Sequence, residues 1–250
     1  MINMENIILI GDECKKLIKA GSCKGYTHSV FDRVINIETD TIGAIDNMFS
    51  VCVRDVPPAP ARIIIDSQTS WLSRGFKPGQ EFNIICENAP VWQCVKEYNL
   101  SAPQIILERL SKVHIPENLR SIKGIPYNDV DALIGRGLGL TPSGDDFLAG
   151  VLYSLHFLKC NSLFEPLAKK VKNSLDKTTR LSRHFLKYAL AGKWGQTQEN
   201  VMLALMTDSD KDLNEAVKNQ LAIGASSGAD EMLGIVEGIR AAFQHRQLTE

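Results

Sequence analysis

The sequence predicts an α+β protein, a small antiparallel β barrel or sandwich followed by an α-helical bundle. Three observations predict it. Brief or alternating apolar runs, punctuated by turn residues, fill the first ~110 residues. From Ala102 onward the apolar positions recur at helical spacing instead. Nowhere do strand-like and helix-like segments alternate as they do in a doubly wound sheet. The polar stretch around residues 112–125, flanked by Pro116 and Pro126, marks the boundary, giving a β-rich domain over 1–115 and a helical domain over 116–250.

Strands are expected at Val30 to Ile37, Met48 to Val53, Arg62 to Asp66, Glu81 to Cys86 and Val91 to Val95. Between them lie Asp46-Asn47, Pro57-Pro58-Ala59-Pro60, Lys77-Pro78-Gly79-Gln80 and Asn88-Ala89-Pro90, all turn-forming. This spacing suits a small closed or sandwiched sheet. In the second half, Ile105, Ile106 and Leu110 share a helical face, as do Val130, Leu133 and Ile134. Phe147, Leu148, Val151, Leu152, Leu155 and Leu158 make one broad apolar stripe. Further helices are expected at Phe164 to Leu175, Leu181 to Leu190, Gln198 to Met206, Asp212 to Ile223 and Ala229 to Phe243. Trp71, Trp92 and Trp194 read as core or interface anchors.

Composition narrows the function. The net charge of −1 gives no general attraction to nucleic acid or anionic lipid, and no basic stripe carries interleaved aromatics. Neither nucleic acid nor a membrane is an expected partner. Met1 to Ile10 lacks the basic-then-apolar order of a signal, and the longest apolar runs fall short of the ~20 residues of a membrane span, so a cytoplasmic location is expected. The six cysteines are scattered without CxxC spacing, which reads as buried reduced thiols and argues against zinc. No Ser-His-Asp arrangement follows from the spacing of the five histidines.

The chemistry concentrates in Gly135-Arg136-Gly137-Leu138-Gly139-Leu140-Thr141-Pro142-Ser143-Gly144-Asp145-Asp146, a glycine-dense loop that runs into the apolar helix. It is echoed by Ser227-Gly228-Ala229-Asp230. Aligned on Ser143 and Ser227, the segments share Ser, Gly, Asp and a second Gly (Gly150, Gly234) at identical offsets. Helix starts carry unpaired N–H groups and the positive end of the dipole, so a phosphate or carboxylate binds there readily. Gly137, Gly139, Gly144 and Gly228 let backbone approach such a ligand, while Thr141, Ser143, Ser226 and Ser227 offer hydroxyls. The plainer alternative is that glycines make tight turns and serines cap helices. For capping, either Thr141 precedes Pro142 in the first helical position, or Ser143 and Asp146 form a capping box. Neither the dinucleotide fingerprint nor a Walker loop is present.

Asp145, Asp146 and Asp230 are the candidate catalytic groups, as general acid or base, as acceptors that orient an amide NH₂, or as magnesium ligands. The pattern fixes no cofactor; Mg would suit the carboxylates, and the metal requirement stays open. Arg180, in Thr178-Thr179-Arg180-Leu181-Ser182, and Arg136 can neutralise an anion with a planar fork of donors.

The stretch from Gly135 to Gly150 resembles the signature of a bacterial family that includes the AllH-type subunit of oxamate carbamoyltransferase. His28-Ser29-Val30-Phe31, Thr178 to Ser182 and Gly224 to Asp230 extend the resemblance over most of the chain. It implies a carbamoyltransferase subunit of allantoin and purine breakdown, in which oxalurate and phosphate become oxamate and carbamoyl phosphate. The expected partners are a small anionic substrate (phosphate, carbamoyl phosphate or an oxamate-like acid) and other carbamoyltransferase subunits. Two alternatives are a non-catalytic binding or scaffold subunit and a Mg-dependent hydrolase with paired aspartates.

Overall fold

The computed structural model describes residues 7–18, 21–86, 88–95, 103–115, 122, 124–207 and 209–249. The chain divides into two compact units, one ending at Val95 and the other beginning at Lys96.

The first unit is a sheet of seven strands, β1 (Ile7–Gly11), β2 (Ser22–Val30), β3 (Val34–Glu38), β4 (Met48–Cys52), β5 (Arg62–Ile65), β6 (Glu81–Ile85) and β7 (Val91–Trp92), with α1 (Asp12–Leu17) after β1. The order across the sheet is β6-β2-β3-β4-β5-β1-β7. An α+β chain with its β structure first is what the apolar patterning predicted, but the sheet is mixed. β4–β5 and β1–β7 pair in parallel and the other neighbours antiparallel. The proline-rich connection over residues 53–61 brings β5 back in the direction of β4, where a two-residue turn would have reversed it. The single strand expected over Val30 to Ile37 is two, because Asp32-Arg33 turns the chain and Phe31 N–H bonds to Val34 C=O at 2.8 Å. Every residue of β4 is buried. Trp71, which has no exposed surface, anchors an aromatic cluster with Phe76 and Phe82 at ring separations of 5.6 and 6.2 Å.

The second unit is helical: α2 (Pro103–Ser111), α3 (Val130–Leu133), α4 (Ser143–Phe157), α5 (Asn161–Asn173), α6 (Arg180–Leu190), α7 (Gln196–Met206), α8 (Asp210–Leu221) and α9 (Ser227–Thr249). The expected helix at Ile105 to Leu110 lies in this unit as α2. α4 is the central element, apolar on nearly every side, with Phe147, Leu148, Val151, Leu152 and Leu155 all buried. A helix without a polar face must be surrounded, and α5, α6 and α9 all pack on it. α6 shows the opposite design, with an apolar stripe through Leu181, His184, Leu186 and Tyr188 turned inward.

Candidate functional site

α4 and α9 lie closer together than ordinary helices, and the glycines are the reason. A Cβ on Gly150 would sit 2.1 Å from Glu231 O, and one on Gly234 2.0 Å from Phe147 O. Gly150 and Gly234 each stand seven residues after their serine; Phe147 and Glu231 each stand four after. The contacts are therefore reciprocal, and the helices are related by a local two-fold. Further along, a Cβ on Gly238 would meet Ser154 Oγ at 2.0 Å, so contacts advance together along both helices and the two run parallel. Parallel helices bring both N-termini, and both positive dipole ends, to one place.

Thr141 Oγ1 and Ser227 Oγ are 2.8 Å apart, so the two serine-glycine entrances touch. The loops are tied at a second level by Gly144 and Gly228. Gly144 N–H donates to Arg136 C=O at 2.8 Å, and Gly228 N–H to Ile223 C=O at 2.9 Å. Any side chain at these positions would strike backbone, since a Cβ would fall 1.9 Å from Leu133 O at Gly144 and 2.0 Å from Gln220 O at Gly228. The expectation that these glycine amides stay open for an anion is therefore corrected: preceding loop carbonyls take them. The expected caps differ too. Pro142 occupies the cap position of α4 and Ser143 the first helical one, without a side-chain cap bond. Thr141 is released from capping and spends its hydroxyl on Ser227.

The three candidate carboxylates have separate surroundings. Asp145 is 2% exposed and turned toward its own loop: Oδ1 accepts from Gly135 N–H at 2.8 Å and Oδ2 from the Thr178 hydroxyl. It ties the turn after α3 to the segment that enters α6. Burial raises its pKa, and these hydrogen bonds oppose the rise. Asp146 and Asp230 belong to the junction instead. Burial pushes Asp146 well up, the Ser227 hydroxyl opposes, and the charges of Glu231, Asp230 and Asp145 add to the rise. Burial also raises Asp230, opposed by the hydroxyls of Ser143 and Ser226. The pairing is again reciprocal, each serine lying against the aspartate of the other helix. Asp230 has no exposed surface, and only the Ser143 and Ser226 hydroxyls lie by its oxygens, neither in full hydrogen-bond geometry; Asp146 Oδ2 is likewise buried without such a bond.

Arg180 opens α6, half-buried, next to Thr179, whose hydroxyl donates to Leu140 C=O and also caps α6 by accepting from Ser182 N–H. The segment carrying Arg180 is thus fastened to the glycine loop. Gly137 has φ of 125° and packs on the Ser143 amide, where a Cβ would come within 2.6 Å. Gly139, with φ of 89°, faces open space. The sequence reading missed Glu231, whose Oε2 accepts from Gln198 Nε2 and Gln220 Nε2, both at 2.8 Å. A signal for Gln220 was available: it falls on the same face as Leu213, Ala216 and Val217, where a polar residue needs a buried partner. Among the described residues no three His, Cys, Asp or Glu side chains cluster as a metal would need, and no helix is long and apolar enough to cross a membrane.

These features define a class: an α+β protein whose helical unit joins two parallel helix starts around a buried aspartate, Asp230, and a half-buried one, Asp146. The chain belongs to the AllH family. The model of the oxamate carbamoyltransferase subunit AllH matches residues 133–239, and that of the AllH family N-terminal domain matches residues 6–93. The first match contains both serine-glycine entrances. No solved structure matches the chain.

Proposed function

We propose that the chain serves an oxamate carbamoyltransferase by holding the small anionic substrate at the α4–α9 junction, in the conversion of oxalurate and phosphate to oxamate and carbamoyl phosphate. The observation that carries this reading is Asp230, fully buried with nothing but the Ser143 and Ser226 hydroxyls by its two oxygens and neither in full hydrogen-bond geometry. Burying a carboxyl without partners costs free energy, so the group is retained where a ligand completes it. A carbamoyl NH₂ does so: it offers two N–H donors, and Asp230 with Asp146 offers acceptors from the two sides of the local two-fold. The converging positive ends of the α4 and α9 dipoles then face the anionic end, with Arg180 as counter-charge.

The same arrangement suits the barrier. Attack of a phosphate oxygen on the carbamoyl carbon places negative charge on the carbonyl oxygen, and donors aimed at that oxygen act more strongly in the transition state than in the ground state. Asp146 and Asp230 act here as orienting acceptors that fix the amide plane. Asp145 has a different part, since its carboxylate is already used within the loop, and it holds the entrance in shape.

The test is carbamoyl transfer by the reconstituted assembly. Asp146→Asn and Asp230→Asn each replace an acceptor oxygen by a donor and are expected to lower turnover by about a hundredfold or more, the scale at which a mis-set orienting group acts. Turnover equal to the parent in both variants rejects the assignment.

A further inference from the structure

Glu231 breaks the two-fold of the junction. It stands four residues after Ser227, where the other half of the repeat has the buried Phe147 four after Ser143. One oxygen, Oε2, accepts both from Gln198 Nε2 on α7 and from Gln220 Nε2 on α8, each at 2.8 Å. Gln220 has no exposed surface, and its Nε2 also donates to Gly228 C=O at 3.4 Å. Both neighbours of that nitrogen are acceptors, so only the NH₂ edge of the amide can face them. That orientation leaves Gln220 Oε1 buried without a hydrogen bond. Two amide donors on one oxygen favour the ionised carboxylate and, being neutral, hold it in place without cancelling its charge. The clamp thus fixes a negative charge on the α9 side of the site. The Glu231 backbone meets α4 one turn beyond Asp146, at Gly150.

Asp146, Asp230 and Glu231 then share one junction, and like charges held together do not all ionise. Asp146 ionises least readily. Burial, the charges of Glu231 and Asp230 on α9 and that of Asp145 on α4 all oppose it, with the Ser227 hydroxyl acting the other way. On α6, Arg180 stands at the start fastened to the same loop. Asp230 is opposed by burial and favoured by the Ser143 and Ser226 hydroxyls. We propose that Glu231 is a positioning residue that acts through Asp146: it sets Asp146 as the donor to the carbamoyl oxygen, while the second Asp146 oxygen and Asp230 accept from the NH₂. A carboxyl and a carbamoyl group pair edge to edge in this way, O–H to C=O and N–H to O=C. The pairing supplies the transition state with its donor, because the carbonyl oxygen gains charge as phosphate attacks and a neutral carboxyl donates to it. It also selects the ligand. An unsubstituted carbamoyl or primary amide end fits, whereas a carboxylate in its place offers no N–H and meets the fixed charge of Glu231. The inference rests on the carbamoyl reading of the junction.

Two measurements test it. In the full chain without ligand, the side-chain carboxyl carbons of isotope-labelled aspartate are titrated by NMR, the Asp146 signal being the one lost in Asp146→Asn. In the reconstituted assembly, oxamate binding is followed calorimetrically from acid to alkaline pH. Removing negative charge beside Asp146 makes its proton easier to lose. Glu231→Gln is therefore expected to lower the Asp146 midpoint by about one pH unit and to move the alkaline loss of oxamate binding down with it, about a tenfold drop in affinity above the parent's midpoint. At acid pH the two affinities converge. Gln198→Ala withdraws one donor and leaves Glu231 in place; it moves both readouts the same way by less, and it decides the matter where Glu231→Gln does not melt like the parent. An Asp146 midpoint unmoved in both variants while oxamate still binds overturns the role of Glu231, and so does an oxamate profile that stays with the parent after the midpoint has moved. A midpoint that moves while the parent takes up no oxamate at any pH overturns the proposal through the carbamoyl reading instead.

Discussion

Asp230→Asn should make the ligand-free protein more stable while disabling it. The aspartate has no exposed surface and only the Ser143 and Ser226 hydroxyls by its oxygens, neither in full hydrogen-bond geometry, and burial raises its pKa against their pull. A carboxyl whose folded pKa exceeds the unfolded value holds its proton more tightly when folded. Its contribution to stability is therefore lost as pH rises from the unfolded value, about 3.9, through the folded one, and above both the full penalty remains. Asparagine carries no charge to desolvate. Its amide is still a buried polar group, so only the charge-specific part of the penalty is relieved, and Tm at pH 8 should rise by roughly 2–4 °C for each kcal/mol relieved in a chain of this size. Below about pH 4 aspartate is protonated in both states and the advantage should disappear. Calorimetric melts of parent and variant at pH 8, 6 and 4 read this directly. A variant less stable than the parent at pH 8, or a gain that does not change with pH, refutes the account of Asp230 as a charge held for a ligand.

The glycine contacts make a prediction of opposite sign. Gly234→Ala gains about 1 kcal/mol of helix propensity but forces a methyl to 2.0 Å from Phe147 O, which is backbone and cannot step aside. Overpacking of this kind costs about 1–3 kcal/mol or more, so denaturant melts should show net destabilisation. Gly150→Ala should match it, and the double variant should cost less than the sum because one separation of α4 from α9 relieves both. Asp145→Ala removes the acceptor of Gly135 N–H and of the Thr178 hydroxyl. Hydrogen bonds to charged groups contribute about 1.5–3 kcal/mol each, and hydrogen exchange should accelerate at Gly135 and through the glycine loop. The thiols should be inert: Cys14 is raised well above its usual range by burial and Cys52 is pushed up to about 11 by burial. At pH 8 a disulfide reagent should therefore label the native chain rapidly at Cys86, the one half-buried thiol, and reach all six cysteines only after unfolding. Rapid native labelling of Cys14 or Cys52 would contradict the packing around β4.

What the sequence revealed follows from which interactions are local. The α4 stripe was legible because period and burial coincide over fifteen residues, and so were the β4, β5 and β6 segments, bounded by proline and glycine turns. Strand direction was not legible. The parallel β4–β5 pairing depends on where a proline-rich loop returns the chain, and nothing in residues 53–61 encodes that locally. β1 was missed for the same reason, since its partners β5 and β7 lie far along the chain. At the site, the repeat of Ser, Gly, Asp and Gly at fixed offsets announced two equivalent helix starts. It did not reveal that Gly144 and Gly228 use their amides on preceding carbonyls, because that depends on how each loop folds back.

The repeat also explains why the junction is acidic and yet suited to an anionic substrate. Each helix start contributes the equivalent of about half a positive charge, and the two meet only because Gly150, Gly234 and Gly238 let the helices run side by side. A lone buried aspartate would need a cation beside it; two helix dipoles, several hydroxyls and a raised pKa let Asp146 and Asp230 share the enclosure instead. Each serine then faces the opposite aspartate, so neither half of the repeat makes the site without the other. The consequence is testable in one pair of variants. Ser143→Ala withdraws the hydroxyl that lies against Asp230, and Ser227→Ala the one against Asp146. If the halves are equivalent, both should shift the pH profile of ligand binding upward, since each removes a group that favours the ionised carboxylate. Opposite shifts, or an effect confined to one serine, would show that the duplication holds the helices together without building a shared site.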